Sequence, residues 1–345
     1  MSKQRNEMLN IMEAIAAILV VFIHFKFPGW TGNAATAIAR ISVPFFFSIS
    51  GYFFYKHDSA KELASIPRKI KHLLQLILCS EAVYFAYYYL LQADNCGFTF
   101  QAIANVIELE IRNDYCKDIL NWISIFAPPL NGVFWFVGSL VVVYICMFYI
   151  TKYKLQQKAF AVSLFLLVIG YVLRRILFYN GVTTLFPYER ILPFLPFPFF
   201  MIGYYIRKYQ DRFDQISNRI YCGAFVLGIF LTLLELHVEK GEHTLYGGTL
   251  ILVPAILSFG GKQKHYIAKS AAEKYLSHIG ADTATYIYML HTIIGNICSI
   301  MVPRVLNMDP TQSLYLWLLP LLTCVASMVC GEIIYLIKQV ICKHR

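Results

Sequence analysis

Ionisable side chains within apolar segments are the residues of this sequence best suited to chemistry. Glu13 and His24 lie in the first apolar segment of the chain, and Arg40 opens the second. A charged side chain inside a membrane-spanning helix costs about 2.5–3.5 kcal/mol on insertion scales, so each such residue needs a partner or a function. An imidazole with an ordinary pKa of about 6.5 can take a proton from a hydroxyl group at neutral pH. His24 is therefore a candidate general base.

Each of these residues also has a structural interpretation, which the sequence leaves open. His24 can be an interfacial histidine bonded to a carbonyl of a neighbouring helix, and Arg40 can extend its guanidinium to lipid headgroups. Glu13 lies about 16 Å before His24 on a helix, near the same face, and can pair with a cation on another helix. Further ionisable residues in or near apolar segments are Glu81, Glu235, Glu332, His237 and His291.

Other catalytic and ligand-binding patterns do not occur in the sequence. Serine, histidine and carboxylate residues do not form a nucleophile-elbow pattern, and no glycine-rich phosphate-binding loop is found. The nine cysteines lack metal-binding spacing, so we predict no metal site. Cys96 and Cys116 share the longest predicted outer loop, about residues 92–132, where they can form a disulfide or remain unrelated thiols. Within that loop, residues 101–111 predict a short amphipathic helix at the interface.

The composition indicates that helices in a bilayer position these residues. Apolar residues make up 58% of the 345 residues and charged residues 14%, against roughly 45–50% and 25% in soluble proteins. A soluble domain of this size cannot bury so much apolar surface in one core. The same figures exclude a disordered chain, collagen, a coiled coil and a disulfide-rich secreted scaffold.

Apolar runs long enough to cross about 30 Å of hydrocarbon predict about ten transmembrane helices. They cover residues 9–27, 37–55, 73–91, 133–151, 159–177, 191–206, 219–237, 246–259, 279–302 and 314–337. Pro193, Pro196 and Pro198 predict that the sixth is bent or partly unwound, which buried neighbours can tolerate. The predicted fold class is an all-α, polytopic membrane bundle that forms a single domain over residues 1–345.

The distribution of Lys and Arg predicts the orientation of this bundle. With the N-terminus in the cytoplasm, 21 of the 30 Lys and Arg residues fall on the inner side and nine on the outer side. Cytoplasmic loops carry an excess of these residues, so we expect both termini to be cytoplasmic. The net charge of +10 then reflects membrane topology and contact with the lipid bilayer, and we expect no nucleic-acid partner.

Five segments, in this order, resemble the membrane-bound acyltransferase family 3. They are Ala16–His24, the phenylalanine-rich segment Arg40–Tyr52, the Trp-Phe segment Val133–Leu140, the helix end Phe199–Tyr204 and the tyrosine-histidine segment Tyr286–His291. Each segment alone is a weak signal, because aromatic apolar strings are common in membrane proteins. Their order over residues 5–300 is specific, and the resemblance covers nearly the full chain.

The resemblance implies transfer of an acyl group, commonly acetyl from acetyl-CoA, to a hydroxyl of a cell-surface or periplasmic glycan. Acyl-CoA would be a cosubstrate, with no bound cofactor, and the location would be the cell membrane. His24 would be the catalytic histidine. Arg68 and Lys71 fall where the family has a basic pair in the first cytoplasmic loop, expected to meet the CoA phosphates. Lys71 replaces the family's arginine, which keeps the charge but loses bidentate phosphate geometry.

The first segment departs from the family pattern at Glu13. The family usually has an arginine 11 residues before the histidine, and a carboxylate cannot hold an anionic donor as arginine can. Arg5, Arg40 or another cation takes that role, or donor handling differs, or the protein has lost activity. The candidate catalytic residues are accordingly His24, Arg40 and Glu13.

Two routes for acyl transfer remain open at this stage. His24 can act as general base toward the acceptor hydroxyl, or it can form an acyl-histidine intermediate. The candidates for orienting substrates or stabilising an oxyanion are Ser48, Ser50, Tyr52, Trp135 and His291. For the two serines, close helix packing by small residues is the alternative role. A separate extracytoplasmic protein can hand the acyl group on.

A multi-span transporter of a small polar solute is the main alternative function. Intramembrane charges and the proline-rich sixth span also suit a substrate pathway. The two halves of the sequence show no matching hydropathy, which argues against it. An inactive acyltransferase relative in a glycan-assembly complex is the third interpretation, and Glu13 is the residue that suggests it.

Overall fold

The structure is a computed structural model that describes residues 6–108, 130–181 and 193–343. Helices and short connections make up these ranges, which contain no β-strand. The helices are α1 (Glu7–His24), α2 (Gly29–Ala39), α3 (Ser42–Phe54), α4 (Ser59–Cys96), α5 (Phe100–Val106), α6 (Trp135–Lys152), α7 (Gln156–Tyr179), α8 (Pro196–Lys208), α9 (Gln210–Asp214), α10 (Asn218–Glu239), α11 (Thr249–Lys262), α12 (Ala271–His278), α13 (Ala284–Leu306) and α14 (Ser313–Lys343).

The prediction of an all-α, multi-pass membrane protein is confirmed. Among the residues described, eight helical segments are long and apolar enough to cross a bilayer. The sixth and eighth predicted spans correspond to shorter helices, α8 and α11, of 13 and 14 residues. Large apolar side chains that are mostly exposed, such as Phe165 on α7 and Val226 on α10, face outward from these helices. Lipid is the environment that suits such surfaces.

The prolines of the sixth predicted span start a helix. Pro196 is the first residue of α8 and Pro198 is the third. The first turn of a helix needs no N–H donors for internal hydrogen bonds, so proline is tolerated there. Residues 182–192, which include the beginning of that predicted span, lie outside the described residues.

The second predicted span is broken at its arginine. Helix α2 ends at Ala39, and α3 begins at Ser42. The backbone N–H of Arg40 still donates to the carbonyl of Thr36 at 3.1 Å, which caps α2. Two short helices separated by Arg40 and Ile41 thus replace the single continuous helix that hydropathy predicts.

The chain divides into two compact units. The first consists of Met1–Tyr52 and Tyr205–Arg345. Within it, α1 packs against α2, α11, α12, α13 and α14. The π-helical turn Ile279–Thr283 approaches α1 so closely that a Cβ on Gly280 would overlap the carbonyl oxygen of Asn10. Glycine is therefore required where this turn meets α1.

The second unit, Phe53–Tyr204, is built on the long helix α4. Its 38 residues span about 57 Å at 1.5 Å per residue, almost twice the thickness of the hydrocarbon layer. Helix α4 packs against α5 and α6. Helix α5 covers the first part of the amphipathic helix predicted over residues 101–111, and residues 109–129 lie outside the described residues.

Glu62 joins three parts of the second unit. Its side chain is fully buried near the start of α4. The carboxyl group accepts hydrogen bonds from the backbone N–H of Lys56 at 2.9 Å and from the hydroxyl groups of Tyr204 and Thr151 at 3.4 and 3.5 Å. A buried carboxyl group needs such partners, because an unpaired one costs several kcal/mol. No pattern in the sequence marks Glu62 as a buried residue.

Candidate functional site

A pair of histidines lies where α1 meets α13 in the first unit. His24 is the last residue of α1 and is exposed, whereas His291 in α13 is fully buried. Their ring centroids are 5.1 Å apart, with an angle of 52° between the ring planes. The structure thus brings together two of the residues that the sequence analysis selected.

The hydrogen bonds of His291 fix the position of its proton. Nδ1 lies 2.9 Å from the carbonyl oxygen of Tyr288 and 3.2 Å from that of Ile287. A carbonyl oxygen can only accept, so Nδ1 of the neutral ring carries the hydrogen and Nε2 has a free lone pair. Nε2 is buried and has no hydrogen-bond partner among the described residues. The site therefore contains a buried acceptor beside an exposed imidazole.

Aromatic side chains surround this pair. The ring of Tyr288 packs against His291 at 6.0 Å and edge-on against Phe46 of α3 at 6.0 Å. Phe25, which follows the catalytic candidate His24, packs against Gly295. A Cβ on Gly295 would overlap the ring of Phe25. The absence of a side chain at this position lets the end of α1 approach α13.

The arginine of the broken span faces a carboxylate. Arg40 is 9% exposed, and one of its terminal nitrogens lies 3.6 Å from Oε2 of Glu242. The other carboxylate oxygen, Oε1, contacts Nζ of Lys26. Glu242 lies in the connection between α10 and α11 and was not selected from the sequence, because one acidic residue in a loop gives no signal.

A close contact between a histidine and a carboxylate and two hydrogen bonds hold the connection between α10 and α11 in place. His243 is buried, and its Nε2 lies 2.5 Å from the Glu239 carboxylate at the end of α10. The backbone N–H of His243 donates to the hydroxyl of Tyr246 at 3.3 Å. The backbone N–H of Gly247 donates to Oε2 of Glu235 at 2.6 Å. Glu235, noted in the sequence as an ionisable residue near the end of a span, thus supports this connection.

Glu13 is half-buried on α1 and is not part of the histidine pair. Because α1 is continuous from Glu7 to His24, the two residues are separated by about 16 Å along the helix axis. The predicted spacing therefore holds, and it keeps the carboxyl group of Glu13 away from the ring of His24.

The three polar candidates of α3 have different environments. Ser48 is fully buried, and the hydroxyl of Ser50 donates to the carbonyl of Phe46 at 2.7 Å within the same helix. Tyr52 is buried near the far end of α3, where its hydroxyl donates to Gln210 at 3.1 Å and accepts from Arg207 at 3.2 Å. The hydrogen bonds of Tyr52 belong to a polar network that does not include the histidine pair.

The basic pair of the second unit is helical. Arg68 and Lys71 were predicted in a cytoplasmic loop, but both lie within α4, which begins at Ser59. That part of the prediction is wrong, because Arg and Lys are good helix formers and α4 extends beyond its apolar stretch. Both side chains are exposed, and a spacing of three residues puts them on one face of the helix. Lys71 lines an apolar groove of about 520 Å³ between α4 and α6.

Trp135 begins α6 in the second unit and is 5% exposed. The turn before it is held by Glu81 of α4, whose two carboxylate oxygens accept from the backbone N–H groups of Leu130 and Asn131, both at 3.0 Å. The side chain of Asn131 also donates to the hydroxyl of Ser80 at 2.8 Å. Glu81, one of the ionisable residues in the predicted spans, thus positions the start of the Trp135 helix.

Within the described residues, no group of three or more His, Cys, Asp or Glu side chains could hold a metal ion. Cys116 lies outside those residues, so the possible disulfide with Cys96 stays a prediction.

His278 lies between the carboxylates of Glu332 and Asp282, at 2.9 and 3.4 Å. Glu332, noted as an ionisable residue of the last span, is thus paired through this histidine.

Comparison with known proteins gives one family and one relative. A family model described as an acyltransferase domain, acyltransferase 3, matches residues 6–336 and so extends over both units. An amino-acid racemase of Enterococcus faecalis is 26% identical over 287 residues, which make up 74% of this chain and 36% of that protein. The chain thus spans about a third of the length of this relative. No solved structure matches the chain.

Proposed function

The chain belongs to the acyltransferase 3 family, and from this membership we propose that it is an integral membrane acyltransferase. The reaction we propose moves an acyl group, preferentially acetyl, from cytoplasmic acyl-CoA to a hydroxyl of an extracytoplasmic glycan. The observation that supports it most directly is the exposed His24 ring beside the buried His291 ring, 5.1 Å apart. The family gives the class of reaction, and the pair supplies the proton-transfer group that the reaction needs.

In the proposed mechanism, His24 acts as the general base. It takes the proton of the acceptor hydroxyl while that oxygen attacks the carbonyl carbon of the thioester. The carbon–sulfur bond then breaks, and the protonated imidazole returns its proton to the departing CoA thiolate. The products are an ester and free CoA thiol. General-base catalysis of this kind raises the reaction rate about 10²–10⁴-fold.

His291 is the group we propose to position His24. Its Nε2 is a buried acceptor, and the N–H of a neutral His24 ring is a donor of the right kind. A hydrogen bond between them would fix the N–H on one nitrogen of His24 and the lone pair on the other, the nitrogen that acts as base in the proposed mechanism. This arrangement parallels the way a third group orients the base in other acyl-transfer enzymes. The same tautomer serves a general base and a nucleophile, so an acyl-histidine route would use this arrangement as well.

Cations are needed for the anionic intermediate and for the donor. Among the described residues of the first unit Arg40 is a buried cation, and we propose that it binds an anionic group of a substrate, as an arginine at position 13 would otherwise do. The exposed pair Arg68 and Lys71 would hold the CoA phosphates by charge rather than by bidentate contacts. The half-buried carboxyl of Glu13 has no assigned step in this mechanism.

Mass spectrometry of surface glycans tests the proposed function. Cells that carry the gene, cells that lack it and cells complemented with a plasmid copy are compared. We expect one acetyl ester to be lost on deletion and restored by complementation. Identical ester content in all three strains would exclude a glycan acceptor. Incubation of membranes with labelled acetyl-CoA then shows whether label moves to any lipid-linked acceptor.

Transport of a small polar solute is the second candidate function, because ionisable residues such as Glu81 and His291 lie within helices long enough to span a membrane. A protein with a racemase name is also similar to part of the chain. That protein is named for action on amino acids, and this chain matches about a third of it. Vesicles that contain the purified protein distinguish the two candidates. Uptake of an amino acid that does not depend on acyl-CoA would favour the transporter, and acyl transfer without uptake would favour the enzyme.

A further inference from the structure

The carboxylate of Glu242 contacts two cations, Lys26 and Arg40. Lys26 follows His24 by two residues, and Arg40 forms the corner between α2 and α3. Glu242 is 40% exposed and Lys26 is 39% exposed at their side chains, whereas Arg40 is 10% exposed. A buried guanidinium and a half-exposed ammonium thus share one carboxylate, and the ammonium belongs to the residue two positions after the end of α1.

The backbone on both sides of Glu242 is held in place, and the Glu242 side chain is half-exposed, with its carboxylate in contact with Lys26 and Arg40. Contacts from Glu235 to Gly247 and from Glu239 to His243 hold the connection on both sides of it. The distance of 3.6 Å between Arg40 and Glu242 exceeds that of a hydrogen bond, so this contact is one of charge alone. The pair of Lys26 and Glu242 is half-exposed, and such pairs contribute little to stability. Another carboxylate can therefore replace that of Glu242 without movement of the backbone.

We propose that Arg40 and Lys26 form a subsite for the carboxylate of an acidic sugar, which Glu242 occupies until the acceptor replaces it. This inference rests on the proposed function, since it specifies the acceptor of that reaction. An acidic sugar bound in this way would place its neighbouring hydroxyl groups next to the end of α1, where His24 lies. The two cations would select acidic over neutral sugars, and Glu242 would set how tightly they bind.

Binding of glucuronate to the purified full-length protein tests the subsite without any acyl donor. Glucose is the control sugar without a charge. Glucose 6-phosphate carries a phosphate in place of the carboxylate and tests which anion the subsite prefers. The dissociation constants follow from the shift of the thermal unfolding midpoint with ligand concentration. Because no acyl-CoA is present, the result is independent of whether acyl transfer occurs.

Replacement of Glu242 by Gln should tighten glucuronate binding by about tenfold, since the competing internal carboxylate is lost. Adding Lys26→Gln to that variant should reverse the gain. Glucose binding should not change in either protein. Glu242→Asp, which keeps the charge on a shorter side chain, should tighten binding by a smaller factor and serves if the Gln variant does not fold.

Asp309→Asn is the matched control for the loss of an acidic side chain. Asp309 is exposed between α13 and α14, and its hydrogen bonds from Thr311 lower the pKa of the carboxyl group, so it is charged at neutral pH. This variant should bind glucuronate as the unaltered protein does. The proposal is wrong if Glu242→Gln leaves glucuronate binding unchanged, if glucose gains equally, or if glucose 6-phosphate binds better than glucuronate.

Discussion

The rings of His24 and His291 lie 5.1 Å apart although His24 belongs to α1 and His291 to α13, far along the chain. One ring is exposed and the other is fully buried. The buried ring is fixed by two backbone carbonyls of its own helix, so its tautomer does not depend on the partner. An acceptor whose orientation is set in advance can hold the exposed ring in one tautomer.

His24→Ala should lower the rate of acyl transfer by about 10²–10⁴-fold, because the general base is removed. The protein should still insert in the membrane, since the exposed ring is not part of the core. His237→Ala is the matched control, because this histidine is exposed at the end of α10. Turnover of the purified variants is the measurement. If His24→Ala retains full turnover, His24 has no part in the mechanism.

His291→Phe should lower kcat by about tenfold, the effect of losing an interaction of about 1.4 kcal/mol. His291→Gln keeps an acceptor oxygen and should recover part of that loss. The Michaelis constant for acetyl-CoA should stay the same in both variants, since the donor is not held by this residue. Equal losses in the Phe and Gln variants would show that His291 has only a packing role.

Gly295→Ala should disturb the site through packing alone. The added methyl group would overlap the Phe25 ring and displace the end of α1, at a cost of about 1–3 kcal/mol of stability. Gly223→Ala is the control, since a methyl group at this exposed position of α10 would have no neighbour within 4 Å. That change should be neutral or stabilise by about 0.5–1 kcal/mol. The midpoint of thermal unfolding and the turnover rate should both fall in Gly295→Ala, and neither should fall in Gly223→Ala.

Replacing Arg68 and Lys71 together by Gln should raise the Michaelis constant for acetyl-CoA about tenfold or more, with kcat nearly unchanged. The difference from the unaltered protein should shrink at high salt, because exposed charges are screened. Lys158→Gln removes an exposed lysine from the first turn of α7 and should have no effect. An unchanged Michaelis constant in the double variant would place the nucleotide elsewhere.

Glu81→Ala should destabilise the second unit by about 1.5–3 kcal/mol, the usual contribution of a hydrogen bond to a charged group. The two backbone N–H groups before Trp135 would lose their acceptor. Gln75→Ala, at an exposed position of the same helix, should change stability by less than about 0.5 kcal/mol. The midpoint of thermal unfolding in detergent measures the stability change of each variant. Equal midpoints would show that Glu81 does not support that turn.

Hydropathy predicted the long helices because it reports which residues can face lipid. It did not predict where helices end, since that depends on backbone hydrogen bonds. The region of Arg68 was expected to be a loop because it is charged, yet it continues the same helix as the apolar stretch. Conversely, Arg40 marks the end of α2 although hydropathy alone gives one span from residue 37 to 55.

The candidate site was predicted in part, by residue type and motif order. His24 and His291 were both selected, but only the packing of α1 on α13 shows that they form a pair. Glu242 was not selected, because its role depends on its distance from Lys26 and Arg40. The buried lone pair of His291 likewise follows from the carbonyls of its own helix turn, which no sequence pattern specifies.

The length of α4 has a mechanical consequence. Arg68 and Glu81 belong to one helix with no proline between them, so this stretch behaves as a stiff rod. A tilt of the rod when a nucleotide reaches the basic residues would be transmitted directly to the turn that Glu81 holds before Trp135. Donor arrival would then influence the start of the Trp135 helix without a hinge, a loop or an additional partner.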